Sequence, residues 1–161
     1  MLQFLGDYEV TLDAKGRFLL PSALKKELTG ETAGQFVVNK GMEPCLTLWP
    51  KQSWDPVYTR LNSLNDFEPK VRYFKYMFLD GVQAVDTDTA GRILLNKALI
   101  DYAQLDKDLI LKASGDKIQI WDKNVFRKFI ESLSQAAETY SELARDVMGN
   151  AVAGMSQTPL K

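Results

Sequence analysis

The chain of 161 residues contains no histidine, which excludes a Ser/His/Asp triad, a Cys–His pair and any imidazole metal ligand. Cys45 is the only cysteine, so a disulfide within the chain and thiolate zinc clusters are excluded as well. Between Pro44 and Leu46, in an apolar stretch, it reads as an inert packed thiol. No apolar run approaches the roughly 18 residues of a membrane span, because Asp, Lys, Gly or Pro interrupts every stretch. Residues 1–7 lack the basic n-region and long apolar core of a secretory signal, so a cytoplasmic location is expected. An excess of positive charge is also missing. Lys and Arg total 20 against 21 Asp and Glu, whereas a dedicated nucleic-acid binder is usually basic. Carboxylates are available, yet no pair marks a catalytic acid and base. The expectation is a protein without enzymatic activity, metal, cofactor, membrane association or small-molecule substrate.

What the sequence does contain is a repeat. A shift of 75 lays Gly6–Leu24 on Gly81–Leu99, and nine of the 19 pairs are identical, among them Asp13/Asp88, Gly16/Gly91 and Arg17/Arg92. Further on the shift falls to 72, where Trp49 meets Trp121 and Leu61 meets Leu133. Each copy reads as strand, tight turn, strand, short helix, hairpin and longer helix. The first short helix has Leu20, Leu24 and Leu28 four residues apart, with Pro21 to open it and Gly30 to stop it. Phe36–Val38 with Leu46–Trp49, and Leu109–Leu111 with Ile118–Trp121, predict the hairpins, the second turning at Ser114-Gly115-Asp116. Ser53 is the expected N-cap of the first long helix and Asp122 of the second.

Two further segments carry patterns. Phe126, Leu133, Tyr140 and Val147 recur every seven residues, an apolar stripe suited to covering the protein's own sheet or a neighbouring subunit. Between the copies, Phe67, Tyr73, Phe74, Tyr76 and Phe78 alternate with Lys70, Arg72 and Lys75. Such interleaving suits single-stranded nucleic acid, but a helix face packed between the two copies is the simpler reading. The division that follows is residues 1–65, a helical connector at 66–80, a second copy at 81–148 with a long C-terminal helix, and a flexible tail at 149–161.

The most informative motif is Asp13-Ala14-Lys15-Gly16-Arg17, repeated as Asp88-Thr89-Ala90-Gly91-Arg92. Asp suits the first position of a type I turn, and Gly supplies the positive φ that finishes it, so both places are predicted hairpins. Turn chemistry does not demand the arginine. Two turns bearing the same arginine make Arg17 and Arg92 candidates for function.

These features, with Leu20-Pro21, Gly91-Arg92-Ile93-Leu94-Leu95 and Leu48-Trp49-Pro50, resemble the MraZ family of bacterial transcriptional regulators, built from two tandem SpoVT/AbrB-type domains. The resemblance runs from about Phe4 to Val147. It implies an α+β fold, a duplicated split β-barrel with pseudo-twofold repeats plus packing helices. It also implies a ring-shaped homo-oligomer, nucleoid-associated, that binds short direct repeats in double-stranded DNA. There it would repress its own operon, the division and cell-wall gene cluster. Asp13, Gly16, Asp88 and Gly91 are then turn and signature positions, and Lys15, Arg17, Lys25, Lys26 and Arg92 the expected DNA-binding residues. Relatives of this fold also act as antitoxins that clasp a protein partner, the alternative reading.

Local charge supports the first turn. From Asp13 to Lys26, four cations stand against Asp13 alone, while Asp86 and Asp88 flank the second turn. Ala90 and Asn96 also replace the lysine and proline found at Lys15 and Pro21. Arg17 is expected at the tip of its hairpin, projecting to DNA, and Arg92 is expected to matter less.

Overall fold

A computed structural model describes residues 2–135 and 140–149. The expected flexible tail, apart from Gly149, and Ala136 and Ala137 of the C-terminal stripe, lie outside the described residues. The first copy supplies β1 (Phe4–Thr11), β2 (Arg17–Leu19), α1 (Ser22–Lys25), β3 (Gln35–Lys40), β4 (Leu46–Pro50) and α2 (Lys51–Asn62). After α3 (Pro69–Leu79), the second copy supplies β5 (Gln83–Asp86), β6 (Arg92–Leu94), α4 (Lys97–Ala103), β7 (Asp108–Gly115) and β8 (Lys117–Asp122). Then follow α5 (Lys123–Gln135) and α6 (Tyr140–Met148). The fold is α+β, as the sequence implies.

The two copies share one sheet. Its order is β1-β7-β8-β4-β3-β5, antiparallel throughout. Exchanging the copies swaps β1 with β5, β3 with β7 and β4 with β8, and the order then reads the same from the opposite edge. The sheet is a palindrome about the β8–β4 pair, which is the pseudo-twofold the repeat demands. Strands β2 and β6 pair only with each other, forming a separate two-stranded ribbon.

Both expected turns close locally, Gly16 N–H donating to the Asp13 carbonyl and Asp13 N–H to that of Arg17, with the same pair at Asp88 and Arg92. Beyond the turns the flanking strands part instead of continuing as hairpins, because β1 joins β7 and β2 joins β6 of the other copy. The next backbone bonds are made across the repeat. Leu12 N–H donates to the Lys107 carbonyl (2.8 Å), and Thr87 N–H donates to that of Gly34 (2.9 Å). The other two expected hairpins form, β3 with β4 and β7 with β8, the latter closed tightly at Gly115 and Asp116.

Burial follows the same symmetry. Phe18 with Ile93, Leu20 with Leu95, and Leu24 with Leu99 are equivalent positions in the two copies, and all are buried in one core with Phe36, Leu48, Leu111 and Ile120. Each such side chain contributes on the order of 1.5–3 kcal/mol from leaving water. Alternation along β7, with Leu109, Leu111 and Ala113 buried, is what one core-facing sheet surface requires. Strand β4 is buried on both faces, since α2 and α3 cover its outer side. There Trp49 donates to Asn39 Oδ1 (2.8 Å) and meets Trp54 edge-on, centroids 6.0 Å apart.

Three local details depart from the sequence reading or complete it. Helix α2 starts directly after Pro50, whose φ of −55° leaves strand β4 ready to turn, so Ser53 lies buried inside the helix rather than capping it. Asp122 does cap α5, its Oδ2 accepting from the backbone N–H groups of Asn124 and Val125 (both 3.1 Å). The connector is helical, but only part of its aromatic face is packed. Phe78 stacks on Trp54 and Phe74, while Phe67, Tyr73 and Tyr76 are exposed. Two of its cations are held locally, Lys75 by the Asp66 carboxylate and Arg72 by the Asp66 and Phe67 carbonyls.

Cys45 is fully buried. Burial, with the nearby Glu43 charge, pushes its thiol up to about 12, so it remains a packed, protonated group. No helix among the described residues is long and apolar enough to cross a membrane.

Candidate nucleic-acid interface

Both Asp-x-x-Gly-Arg segments close through the same set of bonds. In the first, Asp13 Oδ1 accepts from the N–H groups of Lys15 and Arg17 (both 2.9 Å), and Oδ2 accepts from Arg17 Nε (2.8 Å). Gly16 N–H donates to the Asp13 carbonyl (3.0 Å) and Asp13 N–H to that of Arg17 (2.8 Å). In the second, Asp88 accepts from Ala90 (3.0 Å), Arg92 N–H (2.8 Å) and Arg92 Nε (2.9 Å), with the same two backbone bonds. Gly16 and Gly91 have φ of 85° and 83°, the left-handed conformation that glycine accepts at little cost. The turns are one structure made twice.

The arginine therefore has a structural task that the turn pattern alone did not require. An Asp and an Arg four residues apart are a plain charge pair in sequence, and the clasp uses that spacing. Arg17 is not at a hairpin tip; it is the first residue of β2, tethered at Nε, with its side chain about one-quarter exposed. The backbone N–H of Arg17 above all, then its guanidinium and the N–H of Lys15, hold the Asp13 carboxyl below its ordinary value against some desolvation. Arg92 and Ala90 do the same for Asp88. Both carboxylates thus stay ionised, and the clasps stay closed, at neutral pH.

The ribbon sets where the arginines stand. Register pairs Arg17 with Leu94, Phe18 with Ile93 and Leu19 with Arg92. Phe18 and Ile93 point into the core, so Arg17, Leu19, Arg92 and Leu94 share the outward face. Arg17 and Arg92 are diagonal neighbours there, about 7–8 Å apart at their α-carbons by strand geometry. Beside them Leu19 and Leu94, the last residues of β2 and β6, are 54% and 48% exposed. Sequence pattern does not single out this leucine pair, because Phe18-Leu19-Leu20 and Ile93-Leu94-Leu95 are apolar throughout and show no period of two.

The remaining expected residues divide between the two ends of the ribbon. Lys15 is exposed within the first turn. Lys26 is exposed at the C-terminus of α1. Lys25, in the last turn of α1, lies not at its own repeat's turn but against Gly91 of the second. The second short helix is built differently from the first: Asn96 caps α4 by accepting from Leu99 N–H (2.9 Å), whereas Pro21 precedes α1 with no side-chain cap. Among the described residues, no group of three or more His, Cys, Asp or Glu is placed to hold a metal ion.

Residues 3–76 and 77–147 each match the sequence model of the family described as "MraZ protein, putative antitoxin-like". The chain is 37% identical over 151 residues to the Transcriptional regulator MraZ of Christiangramia forsetii, covering 93% of this chain and 96% of that protein. It is 35% identical over 141 residues to the Transcriptional regulator MraZ of Cytophaga hutchinsonii, covering 85% and 93% of the two chains. The Transcriptional regulator MraZ of Carboxydothermus hydrogenoformans is 31% identical over 145 residues, 90% of this chain and 99% of its own.

Proposed function

The chain belongs to the MraZ family, and from that premise we propose that it is a transcriptional regulator whose β2–β6 ribbon reads double-stranded DNA. The carrying observation is the outward face of that ribbon, where two arginines, each held at Nε by a turn aspartate, flank two exposed leucines. A two-stranded ribbon fits the major groove. With Nε engaged, each guanidinium presents its remaining N–H groups outward for guanine O6 and N7 or for phosphate. Leu19 and Leu94 supply apolar contact of the kind a thymine methyl accepts. Lys15, beside Arg17, neutralises phosphate. Asp13 and Asp88 orient the arginines and, being paired with them, present little free negative charge to the DNA.

A net charge of −1 is compatible with this because cations are concentrated at the ribbon. One ribbon alone would bind non-specifically at about 10⁻⁴–10⁻⁶ M. A ring that sets several ribbons on consecutive direct repeats would gain roughly 10²–10⁴ in avidity. We place that operator upstream of the protein's own operon, with repression of the operon as the outcome and the nucleoid as the location. The reading is tested by mobility shift on that upstream DNA at several salt concentrations. Failure to prefer it over unrelated duplex would overturn sequence-specific recognition.

A second reading, a protein-interaction module of antitoxin type, has one observation in its favour. The C-terminal unit, considered by itself, holds an apolar groove of about 670 Å³, a size typical of binding clefts, lined by Ile130, Leu133, Tyr140, Leu143 and Val147. We assign this groove to contact between subunits of the ring. Light scattering that finds only a mass near 18.2 kDa would reject the assignment.

A further inference from the structure

We propose that the second turn is a full DNA-contacting corner, its lysine supplied across the repeat boundary by Lys25. The inference rests on the DNA reading above. Taken within its own repeat, the second turn is poor in positive charge: Ala90 stands where the first turn has Lys15, and Asp86 lies beside it. Folding alters the balance. A β-carbon built on Gly91 would fall on Lys25 Nζ, with Lys25 Cε at 2.8 Å. The ammonium group therefore occupies the space that a side chain at position 91 would fill. At Gly16 the corresponding space is held by Ile100 Cδ1 (3.0 Å) and the Leu95 carbonyl (3.2 Å).

Residues 25 and 100 are equivalents under the 75-residue shift. Each short helix thus lays its last exposed turn over the glycine of the opposite repeat, because β2 and β6 pair with each other. The first repeat delivers an ammonium to the second turn; the second repeat delivers a methyl group to the first. Each turn ends with one arginine and one lysine, Arg17 with Lys15 and Arg92 with Lys25. The lysine missing at position 90 is replaced in space rather than in sequence.

The surroundings suit a phosphate. Lys25 makes no ion pair with any carboxylate among the described residues, since Asp88 is taken up by Arg92 and by backbone N–H groups. Lys25, Gly91, Thr87, Thr89 and the Arg92-paired Asp88 line a cavity of about 320 Å³ that opens to solvent. Exposed Thr89 places a hydroxyl group on the same rim as the ammonium. The φ of 83° favours glycine at position 91, and the absence of a β-carbon leaves the space in which the Lys25 ammonium sits.

The test is fluorescence anisotropy of the full-length assembly on duplex DNA from upstream of its own gene and on unrelated duplex, over a salt series. Lys25→Ala should lower affinity several-fold on both duplexes and reduce the salt slope by about one per engaged turn, the effect also expected of Lys15→Ala. Lys70→Ala, on α3, is the charge-matched control. Adding Ala90→Lys to Lys25→Ala should restore affinity and slope, since the first turn already accommodates lysine at that place. Thermal melts confirm that each variant is folded. If Lys25→Ala behaves as Lys70→Ala, or Ala90→Lys gives no rescue, while Arg17→Ala still impairs binding, the composite corner is wrong and the DNA reading survives. If Arg17→Ala and Arg92→Ala bind as well as the parent, the DNA reading itself has failed.

Discussion

The first turn carries Lys15 and Arg17 within its own five residues, whereas the second carries Arg92 alone, with Asp86 close by in sequence. Yet the two close through matching hydrogen bonds, and their glycines differ by only 2° in φ. Their differences lie in what the rest of the fold brings to them: Ile100 and a backbone carbonyl at Gly16, a lysine ammonium at Gly91. Local sequence therefore determines the shape of each turn, while its charge is a property of the interlocked pair.

The largest expected effect is on DNA affinity. Arg17→Ala and Arg92→Ala should each cost about 1–3 kcal/mol per engaged contact, multiplied over the ring, and by similar amounts. A much smaller loss for Arg92→Ala would break the equivalence and return the second turn to a structural role. Melting should move little in either variant, since solvent screens exposed ion pairs of this kind and they add little to stability. Mobility shift and thermal unfolding on the same samples check both statements.

Glycine substitution should separate the turns next. Gly16→Ala and Gly91→Ala share the cost of a left-handed backbone, about 1–2 kcal/mol. At Gly16 the new methyl also meets the fixed Leu95 carbonyl, while at Gly91 it meets the end of a flexible lysine that can swing away. Gly16→Ala should therefore be the less stable variant in denaturant melts. Gly91→Ala should lose DNA affinity through the displaced ammonium. Equal melts would remove the packing difference on which this contrast depends.

How much of this was legible beforehand follows from which interactions are local. The turn glycines, the aspartates that accept backbone N–H groups and the Asp122 cap each depend on residues within five positions, and the sequence pattern identified them. The β1–β7 and β2–β6 pairings were not readable, because a strand's sequence says which face is apolar but not which of two similar copies it will join. Arg17 was misplaced at a hairpin tip for that reason, and Lys25 was assigned to the wrong turn's neighbourhood. Ser53 misled differently: a good capping residue was present, but Pro50 ended the strand three residues earlier and the helix began there. The outward Leu19 and Leu94 carry no signal of their own, because Phe18-Leu19-Leu20 and Ile93-Leu94-Leu95 are continuously apolar and only the fold decides which side chain faces out.

Two smaller effects sharpen the comparison further. Asn96→Ala should lose about 1 kcal/mol with the cap of α4, while Pro21→Ala, which removes no side-chain cap, should lose less. Chemical denaturation would show the difference, and equal losses would contradict it. The aspartates should titrate alike. Each has its folded pKa lowered, so its contribution is present above the ordinary aspartate range and is lost as pH falls through the lowered value. Carboxyl NMR titration should find both Asp13 and Asp88 below the ordinary aspartate value. A normal value for Asp88 alone would mean that its clasp on Arg92 is open in solution.

The most direct test of the central claim is footprinting on the DNA upstream of the protein's own gene, comparing the parent with the Arg17→Ala/Arg92→Ala double variant at matched oligomer concentration. The ribbon reading predicts regularly spaced protection over short direct repeats by the parent, and loss of that protection in a double variant that still melts and assembles normally. Unchanged protection by the double variant would contradict it.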